Sequence, residues 1–471
     1  MSFTQAVINQ EARTENGMKA RASTADSCVD LFFKIGASRG QNIIPSFVSA
    51  FVQNEDLATR ILLWTRDVRE GAGERKIFRD ILEYLCINKP DLASAIVKKI
   101  PELGRWDDMF STNGIVRTFA FNLIKDAIKE NNGLCAKWMP RKGEIASELR
   151  KFLGLSFREY RKTLVGLTDV VEQQMCAKQW SFIDFNKVPS VAGSRYKKAF
   201  SKNAAQNYGA WATALVSDVP EVKAYVKVNA GAVYPYDVIK GLISLFGFKF
   251  DKANLNNIVA QWEALPNYMG DSSVLPMVDV SSSMTCSVGG TTTAMDVAVS
   301  LGLYCADKNK GPFKDTFLTF SGNPELLNLQ GNIVQKIEQM IKSKWAMNTN
   351  LNAAFDKILS VATKGKVSQE EMPKILLVLS DMQFDSCVSF DDSAIEMIRR
   401  KYEKAGYEIP QVVFWNLSSA DNVPVKFNEK SVALVSGFSP SIMKAVLAAD
   451  MDEFSPQGIM MKTIMKSRYD Y

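Results

Sequence analysis

Side-chain oxygens follow three apolar segments in the C-terminal part of the chain. Asp279, Ser281 and Ser283 alternate in the sequence DVSSSM. Thr349 precedes an apolar segment with helical spacing, and Asp381 follows the apolar run KILLVL. Two carboxylates and three hydroxyls are hard oxygen ligands, which Mg²⁺ prefers while it keeps some of its waters. This set therefore predicts a site for Mg²⁺ or another divalent cation, with one position open to water, a phosphate or an acidic side chain of a protein partner.

The segments around these residues alternate between strand and helix patterns. The predicted strands are Val274–Val280, Phe313–Phe320, Lys374–Leu379, Gln411–Leu417 and Ser431–Ser436. The predicted helices are Ala294–Ala306, Ile333–Ile341, Leu351–Ala362 and Ser439–Ala448. This alternation predicts a doubly wound parallel sheet with helices on both faces. Open α/β sheets bind ligands at the carboxyl ends of their strands, where we expect the predicted metal ligands to lie.

The preceding part of the chain has apolar residues at helical spacing and lacks strand patterns. Examples lie in residues 29–33, 78–85, 119–127 and 238–246. Short polar turns such as NKPD and NNG separate the helices into pairs, which predicts an α-solenoid of HEAT-like repeats. We therefore divide the chain into an N-terminal extension (1–24), a helical repeat domain (25–270) and an α/β domain (271–471), with the boundary near 265–272.

Basic residues are concentrated in the helical part. The first 270 residues carry a net charge of +9 and the remainder −3, and residues 137–202 alone hold 14 basic against 6 acidic residues. Aromatic residues are interleaved with them, namely Trp138, Tyr160, Trp180, Tyr196 and Phe200. Cations neutralise phosphates, and exposed aromatic rings stack on unpaired bases. We therefore predict an RNA-binding surface that contains Lys137, Arg141, Lys142, Arg161, Arg195, Lys197 and Lys198. The alternative is that the cations only solvate helix faces and that the aromatic rings fill the core.

The composition excludes several enzyme classes. The chain contains no histidine, so it lacks Ser-His-Asp and Cys-His nucleophiles and imidazole zinc sites. The segment GAGER lacks the GK[ST] of a phosphate-binding loop, so nucleotide hydrolysis is not expected. The seven scattered cysteines predict reduced thiols in a cytoplasmic protein, and no apolar run is long enough for a bilayer. We expect a protein that is not an enzyme and does not enter a membrane.

Two resemblances to known families follow from these motifs. The ordered set DxSxS, Thr before a helix and Asp after a strand resembles the metal-ion-dependent adhesion site (MIDAS) of von Willebrand A domains. The sequences RDVREGAGER (66–75) and PELGRWDDM (101–109) resemble the helical TROVE module of the Ro ribonucleoprotein family. KWMPRKG, LSFREYRKTL, KVPSVAGSRYKKAFSKN, SDMQFD, VVFWNL and SGFSPSIMKAV resemble Ro-like relatives of unknown function.

The resemblance to Ro implies a ring of helical repeats closed by the von Willebrand A domain. It also implies binding of small structured RNAs outside the ring and of single-stranded RNA ends in its hole. Ro recognition surfaces include histidines, which this chain lacks, so their RNA contacts are not carried over. The arginines of RDVREGAGER have a second interpretation besides the family motif, namely a structural role. The neighbouring acidic residues Asp67, Glu70 and Glu74 would form internal ion pairs with Arg66, Arg69 and Arg75. These pairs would stabilise the turn around Gly71 and Gly73. A metal-dependent protein-interaction scaffold and a Mg²⁺-dependent hydrolase remain alternatives to RNA binding.

Overall fold

The computed structural model describes most of the chain. The described residues are 12–13, 19–230, 233–243, 252–270, 273–290, 292–320, 323–342, 350–383, 394–418, 423–426, 428–450 and 453–471. The chain forms two compact units, each built from separate stretches of sequence. The sheet unit comprises Met1–Ile61, Val233–Phe250 and Ile258–Lys466, and the helical unit comprises Leu62–Ala232, Asp251–Asn257 and Ser467–Tyr471. The division of the sequence at residue 270 stays a prediction.

The helices, numbered in chain order, account for most of the described structure. Their bounds are α1 (Ser27–Ile35), α2 (Ile44–Gln53), α3 (Glu55–Arg66), α4 (Lys76–Asn88), α5 (Pro90–Leu103), α6 (Gly114–Lys129), α7 (Gly133–Trp138), α8 (Glu144–Phe152), α9 (Phe157–Leu167), α10 (Val171–Cys176), α11 (Ser190–Asn203), α12 (Ala205–Leu215), α13 (Pro220–Lys223), α14 (Pro235–Ile243), α15 (Lys252–Glu263), α16 (Ala294–Lys308), α17 (Ile333–Lys342), α18 (Leu351–Gly365), α19 (Ala394–Lys404), α20 (Met443–Ala448) and α21 (Pro456–Ile464).

The strands form one large sheet and two short hairpins. Their bounds are β1 (Ala12–Arg13), β2 (Lys19–Ala20), β3 (Val274–Asp279), β4 (Ser287–Gly289), β5 (Thr292–Thr293), β6 (Thr316–Phe320), β7 (Leu326–Asn328), β8 (Ile375–Ser380), β9 (Gln411–Asn416) and β10 (Val432–Ser436). The large sheet has the order β10-β9-β8-β3-β6-β7. All neighbours in it are parallel except β6 and β7, so the predicted parallel sheet carries an antiparallel edge strand.

The central strands are buried on both faces, which explains their continuous apolar sequences. On one face, Met277 of β3 and Val378 of β8 share a core cluster with Phe355 of α18 and Tyr402 of α19. On the other face α16 packs closely on β3: a Cβ atom added at Gly302 would lie 2.3 Å from a methyl group of Val278. Glycine at this position lets the helix approach the strand. The prediction of α/β structure in this part of the chain is confirmed.

In the helical unit, helices that follow one another in the chain pack against one another. This holds for α4 with α5, α5 with α6, and α11 with α12. The amphipathic pattern is the cause: in α4, Phe78, Ile81, Leu82 and Leu85 are buried at helical spacing. The prediction of helices for this region is confirmed, whereas the solenoid and its closure into a ring stay predictions.

Two further predictions concern membrane-spanning helices and the state of the cysteines. Among the described residues, no helix is both long enough and apolar enough to cross a membrane. The described cysteines are unbridged thiols, and Cys387 lies outside the described residues. A cytoplasmic location stays a prediction.

Candidate metal site and candidate nucleic-acid surface

Asp279 and Asp381 lie at the carboxyl ends of adjacent central strands. Asp279 ends β3 and Asp381 directly follows β8, and the two strands pair in parallel with Val278 opposite Leu379. The chain runs from β3 outward to β6 on one side, while β8 lies on the other side of β3. The two carboxylates therefore flank the point where the strand order reverses, which is where open α/β sheets bind ligands.

The turn after β3 draws the three DxSxS side chains together. The backbone N–H of Ser281 donates to Asp279 Oδ1 at 2.9 Å, and the hydroxyl oxygens of Ser281 and Ser283 are 2.9 Å apart. Ser281 is buried and Ser283 is half-buried. Alternating residues in an extended-to-turn segment can place their oxygens in one region.

Ser380 is a further residue of this site, which the DxSxS spacing does not reveal. Its hydroxyl donates to Asp279 Oδ2 at 2.6 Å and accepts from the backbone N–H of Met382 at 3.1 Å. Met382 has a φ of 67°, a left-handed conformation that is costly for a side chain of this size. The signal in the sequence was the serine directly before Asp381, at the end of a buried strand that pairs with β3.

The environment of Asp279 suits a cation. The side chain is fully buried, and burial raises the pKa of Asp279 to about 7; hydrogen bonds from Ser380 and Ser281 oppose this shift and the charge of Asp381 adds to it. No lysine or arginine within the described part of the chain pairs with Asp279. A buried carboxylate with only uncharged donors and a second carboxylate nearby is a donor set that fits a hard divalent cation.

The candidate metal site has few carboxylate ligands. No three Asp, Glu or Cys side chains cluster in a metal-binding arrangement within the described ranges, so the candidate site depends on two carboxylates and on hydroxyl groups. Thr349, the remaining predicted ligand, lies outside the described residues. Its neighbour Asn350 caps α18, because its Oδ1 accepts from the backbone N–H of Ala353 at 2.9 Å. The five-residue metal set therefore stays a prediction.

The predicted RNA-binding cations fall into two groups in the helical unit. The first group lies around α7 and α9, which pack on each other. In this group Arg141 and Lys142 are exposed, and Arg141 Nη2 donates to the hydroxyl of Thr168 at 3.4 Å. Lys137 is half-buried, with its Nζ 5.5 Å from the centre of the Trp138 ring, and Arg161 is exposed on α9.

The second group lies on α11. Arg195 and Lys198 are exposed there, and Lys197 is half-buried. The buried face of this helix packs into a separate cluster, in which Phe200 contacts the rings of Phe185 and Tyr208. RNA contact by either group stays a prediction.

The structure changes the list of aromatic rings available for base stacking. Tyr160 is buried and its hydroxyl donates to Pro140 O at 2.9 Å, and Phe200 lies in the core, so neither ring is accessible to a base. Arg105 covers Trp138, with its Cζ 3.9 Å from the ring centre. Phe157 is instead 68% exposed at the start of α9. Sequence periodicity did not reveal that Phe157 is exposed, because it precedes Tyr160 by three positions, which is the spacing of residues on the buried side of a helix.

Two of the three arginines of the RDVREGAGER segment, Arg66 and Arg69, have partners other than the predicted neighbours. Arg66 Nε lies 2.6 Å from Asp108, which is 42 residues away in the sequence. Arg69 donates to the backbone carbonyl of Glu102 at 2.5 Å. The side chain of Arg75 has no hydrogen-bond or ion-pair partner among the described residues. The expected pairs with neighbouring acids are therefore wrong for Arg66, because folding brings a more distant aspartate to it.

Comparison with known proteins gives the family of the chain but no activity. The model of a domain of unknown function, DUF2828, matches residues 14–104 and 115–275, more than half of the chain. A second domain of unknown function, DUF7788, matches residues 273–467. The "Uncharacterized protein L728" of Acanthamoeba polyphaga mimivirus is 30% identical over 511 residues, covering 96% of this chain and 86% of that protein.

A solved structure of a bacterial protein has a weak similarity to the chain. The crystal structure of the Deinococcus radiodurans RO (RSR) protein matches with 13% identity and a TM-score of 0.39, covering 94% of this chain and 100% of that one. No conclusion about fold or function follows from a similarity at that level. The family assignment rests on the domain match and the viral relative: this chain belongs to the DUF2828 family, and a region matching DUF7788 follows in its C-terminal part.

Proposed function

We propose that this protein binds RNA through its helical unit and is not an enzyme. The observation that carries the proposal is the outer face of α9. Arg158, Arg161 and Lys162 are all exposed, and at spacings of three and four residues they share one side of the helix. None of these three cations has a hydrogen-bond or ion-pair partner within the described ranges. A row of unpaired cations along one helix face supports binding to a phosphate backbone.

The same helix offers a ring for stacking. Phe157 is exposed in the first turn of the helix, one turn before Arg161, while Tyr160 and Leu164 further along the helix are buried in the core. Aromatic stacking contributes about 1–3 kcal/mol per base in proteins that bind single strands. Cations beside an exposed ring therefore favour single-stranded RNA, or unpaired parts of a small structured RNA, as the ligand.

The motif resemblances described above support the same function. RDVREGAGER and PELGRWDDM resemble the helical module of the Ro family, in which a HEAT-like ring holds RNA. We propose that the helical repeats have this arrangement and that residues 271–471 form a von Willebrand A-like domain. In such a ribonucleoprotein the cations of α11, including Arg195, Lys197 and Lys198, would extend the surface formed by α9.

A charge-reversal experiment tests the proposal. The triple variant Arg158→Glu, Arg161→Glu and Lys162→Glu should weaken binding of a single-stranded RNA oligonucleotide at least tenfold in fluorescence anisotropy. The slope of log affinity against log salt should also become shallower by about 0.7 for each phosphate that the variant no longer neutralises. The matched control reverses Lys357, Lys364 and Lys366, which are exposed on α18 and at its C-terminal end in the sheet unit.

The control separates specific binding from net charge. Equal weakening in both triple variants would contradict the proposal, because overall charge alone would then explain binding. A wild-type protein that binds no RNA at low salt would favour the protein-scaffold alternative.

We further propose that a divalent cation binds at the ends of β3 and β8. Asp279, Ser281, Ser283 and Asp381 would hold it, with Thr349 as a predicted fifth ligand. A bound Mg²⁺ would supply a positive charge and one exchangeable position, which an acidic group of a protein partner or a phosphate could occupy. The buried carboxylate of Asp279, whose donors in the described part of the chain are uncharged, is the observation that favours this second function.

Titration calorimetry with MgCl₂ and MnCl₂ tests the cation site. Wild-type protein should bind one equivalent, Asp279→Ala should bind none, and Glu371→Gln, which removes an exposed carboxylate of the same unit, should bind as wild type. Absence of binding in the wild type would contradict this proposal and leave the RNA proposal intact. Metal-dependent hydrolysis of RNA or of a phosphate ester, abolished in Asp279→Ala, would favour the hydrolase alternative.

A further inference from the structure

Residues 66–79 and 104–108 meet in an arginine-rich cluster of the helical unit. Arg66 ends α3, Arg79 lies one turn into α4, and both approach Asp108 in the turn after α5. Arg66 Nε is 2.6 Å from Asp108 Oδ2, and Arg79 Nε is 2.7 Å from Asp108 Oδ1. A Cβ atom added at Gly104 would lie 2.7 Å from Asp108 Oδ2, so the absence of a side chain there makes room for these ion pairs.

Asp107 is likewise shared between two arginines, Arg79 and Arg105. Arg79 Nη2 lies 3.1 Å from Asp107 Oδ2, and Arg105 Nε donates to Asp107 Oδ1 at 2.9 Å. Arg105 also stacks on Trp138, which limits the positions available to its guanidinium. Asp108 additionally accepts from the backbone N–H of Arg105 at 2.9 Å. The oxygens of both aspartates are therefore already used as acceptors.

Arg75 adds a further cation to this group. It precedes α4, and its carbonyl accepts from the backbone N–H of Arg79 at 3.0 Å, which places it one turn before Arg79. Partial burial lowers the pKa of Arg75, and the charges of Arg105 and Arg79 lower it further. The guanidiniums of Arg66, Arg79 and Arg105 contact the carboxylates of Asp107 and Asp108, and Arg75 interacts with this group through its charge. These four arginines exceed the two aspartates by two positive charges.

The excess charge is accessible from solvent. The side chain of Arg75 is exposed and has no hydrogen-bond or ion-pair partner among the described residues, while the side chains of Arg79 and Arg105 are 27% and 28% exposed. Arg66 is buried and acts only within the network. Guanidinium groups present paired N–H donors that match the oxygens of a phosphate, and a phosphate monoester carries about −1.5 to −2 charges near neutral pH. Its charge therefore balances the excess.

We propose that Arg75, Arg79 and Arg105 form a binding site for a phosphate monoester group. The group is either free inorganic phosphate or the terminal phosphate of a nucleic acid. The second source rests on the proposed RNA function, whereas the site itself does not, since inorganic phosphate alone reports on it. The phosphate site and the exposed face of α9 lie on different secondary-structure elements. Mutations can therefore disrupt the phosphate site and the proposed RNA surface separately.

Phosphate binding is measured first by calorimetry and thermal unfolding at constant ionic strength, with chloride as the reference anion. Wild-type protein should bind inorganic phosphate and unfold at a higher temperature in its presence. Arg75→Ala should weaken binding about tenfold, the reduction expected when one charge-assisted hydrogen bond is removed. Lys76→Ala is the matched control, because Lys76 is the adjacent exposed cation but pairs with Asp80 at 2.5 Å. It should bind phosphate as wild type.

A charge reversal gives a result that a purely structural role of Arg75 would not. Arg75→Glu places a carboxylate beside Arg79 and Arg105, so it should raise the unfolding temperature without phosphate and abolish the response to phosphate. A lower unfolding temperature in Arg75→Glu would contradict the proposal. So would equal phosphate binding in Arg75→Ala and wild type, or a wild type that does not distinguish phosphate from chloride.

Oligonucleotides then identify the source of the phosphate. If the ligand is an RNA end, a 5′-phosphorylated strand should bind wild type more tightly than its 5′-hydroxyl form, and Arg75→Ala should reduce this preference about tenfold. If inorganic phosphate binds and the 5′ group makes no difference, the site takes the free ion. The α9 triple variant should keep its phosphate response even where it no longer binds RNA, so failure of the RNA proposal and failure of this site are distinguishable.

Discussion

Asp108 in the helical unit and Asp279 in the sheet unit are both fully buried carboxylates, yet their surroundings differ in charge. Asp108 lies between the guanidiniums of Arg66 and Arg79, at 2.6 and 2.7 Å. Within the described ranges, the donors to Asp279 are the uncharged Ser380 and Ser281, and the nearby Asp381 repels its negative charge. Burial of a carboxylate costs several kcal/mol unless a cation compensates it.

The difference shows which carboxylate the protein itself neutralises. At Asp108 the compensating cations are part of the fold, so this aspartate contributes to stability. At Asp279 the described residues supply no cation, so the ionised form is disfavoured and the pKa rises to about 7. A carboxylate of the second kind is suited to bind an external cation, because deprotonation and metal binding then occur together.

The largest effect is expected when Asp108 is removed. Asp108→Ala leaves Arg66 buried without a counter-ion and should lower the free energy of unfolding by about 3–5 kcal/mol, measured by urea denaturation. Asp80→Ala removes an exposed partner of Lys76 and should cost at most about 0.5 kcal/mol. Similar decreases in the two variants would show that burial does not set the strength of the Asp108 network.

The next effect concerns Asp67, a third buried carboxylate, whose cation comes from the C-terminal end of the chain. Arg468 Nε donates to Asp67 Oδ2 at 2.5 Å, and the Tyr469 hydroxyl donates to the same oxygen at 3.1 Å. Arg468→Ala should lower the free energy of unfolding by about 2–3 kcal/mol, because Asp67 loses its counter-ion. A double-mutant cycle with Asp67→Ala should give a coupling energy above about 1 kcal/mol, and a coupling near zero would contradict this role.

Removing the carboxylate of Asp279 should increase stability in the absence of metal, whereas removing Asp108 or Arg468 should decrease it. Its pKa rises from 3.8 when unfolded to about 7 when folded, so between these values the folded state binds more protons. Stability without metal should therefore decrease as the pH rises from about 4 to about 7, and then level off. Asp279→Asn should remove this slope and, at pH 8 with EDTA, raise the free energy of unfolding by about 1–3 kcal/mol. A less stable Asp279→Asn under these conditions would contradict the interpretation of Asp279.

The smallest effect is expected for Ser380. Ser380→Ala removes the hydrogen bond to Asp279 and should shift the midpoint of the pH-dependent stability change upward, because the ionised carboxylate loses a donor. The change in stability should be about 1 kcal/mol. Ser300→Ala deletes another buried hydroxyl, which bonds to Val297 O, and should leave the pH midpoint unchanged. An identical pH profile in both variants would show that Ser380 does not tune Asp279.

Much of the architecture was predictable because apolar periodicity reports burial directly. The runs VLPMVD and KILLVL became the buried strands β3 and β8, and the predicted segments 294–306 and 351–362 lie within α16 and α18. The short edge strand β7 and the polar helix α19 were missed. A three-residue strand carries too little pattern, and the sequence of α19 is dominated by charged residues.

The sequence alone determined the chemical types at the two proposed sites. The spacing of Asp279, Ser281 and Ser283, and the basic character of α9 and α11, are properties of the covalent chain. Local rules also determined where strands end, and so where Asp279 and Asp381 would be found. These features depend on residues close together in the sequence, which is why a pattern reveals them.

Only the tertiary structure decided which charges neutralise one another and which rings remain exposed. Arg66 pairs with Asp108 and Asp67 with Arg468, although 42 and 401 residues separate the partners. Tyr160 is buried while Phe157 is exposed, although they lie in the same helix. The physical reason is that burial and ion pairing depend on the packing of distant segments. Local propensity does not encode that packing, so the same residue type stabilises the fold at one position and is available for a ligand at another.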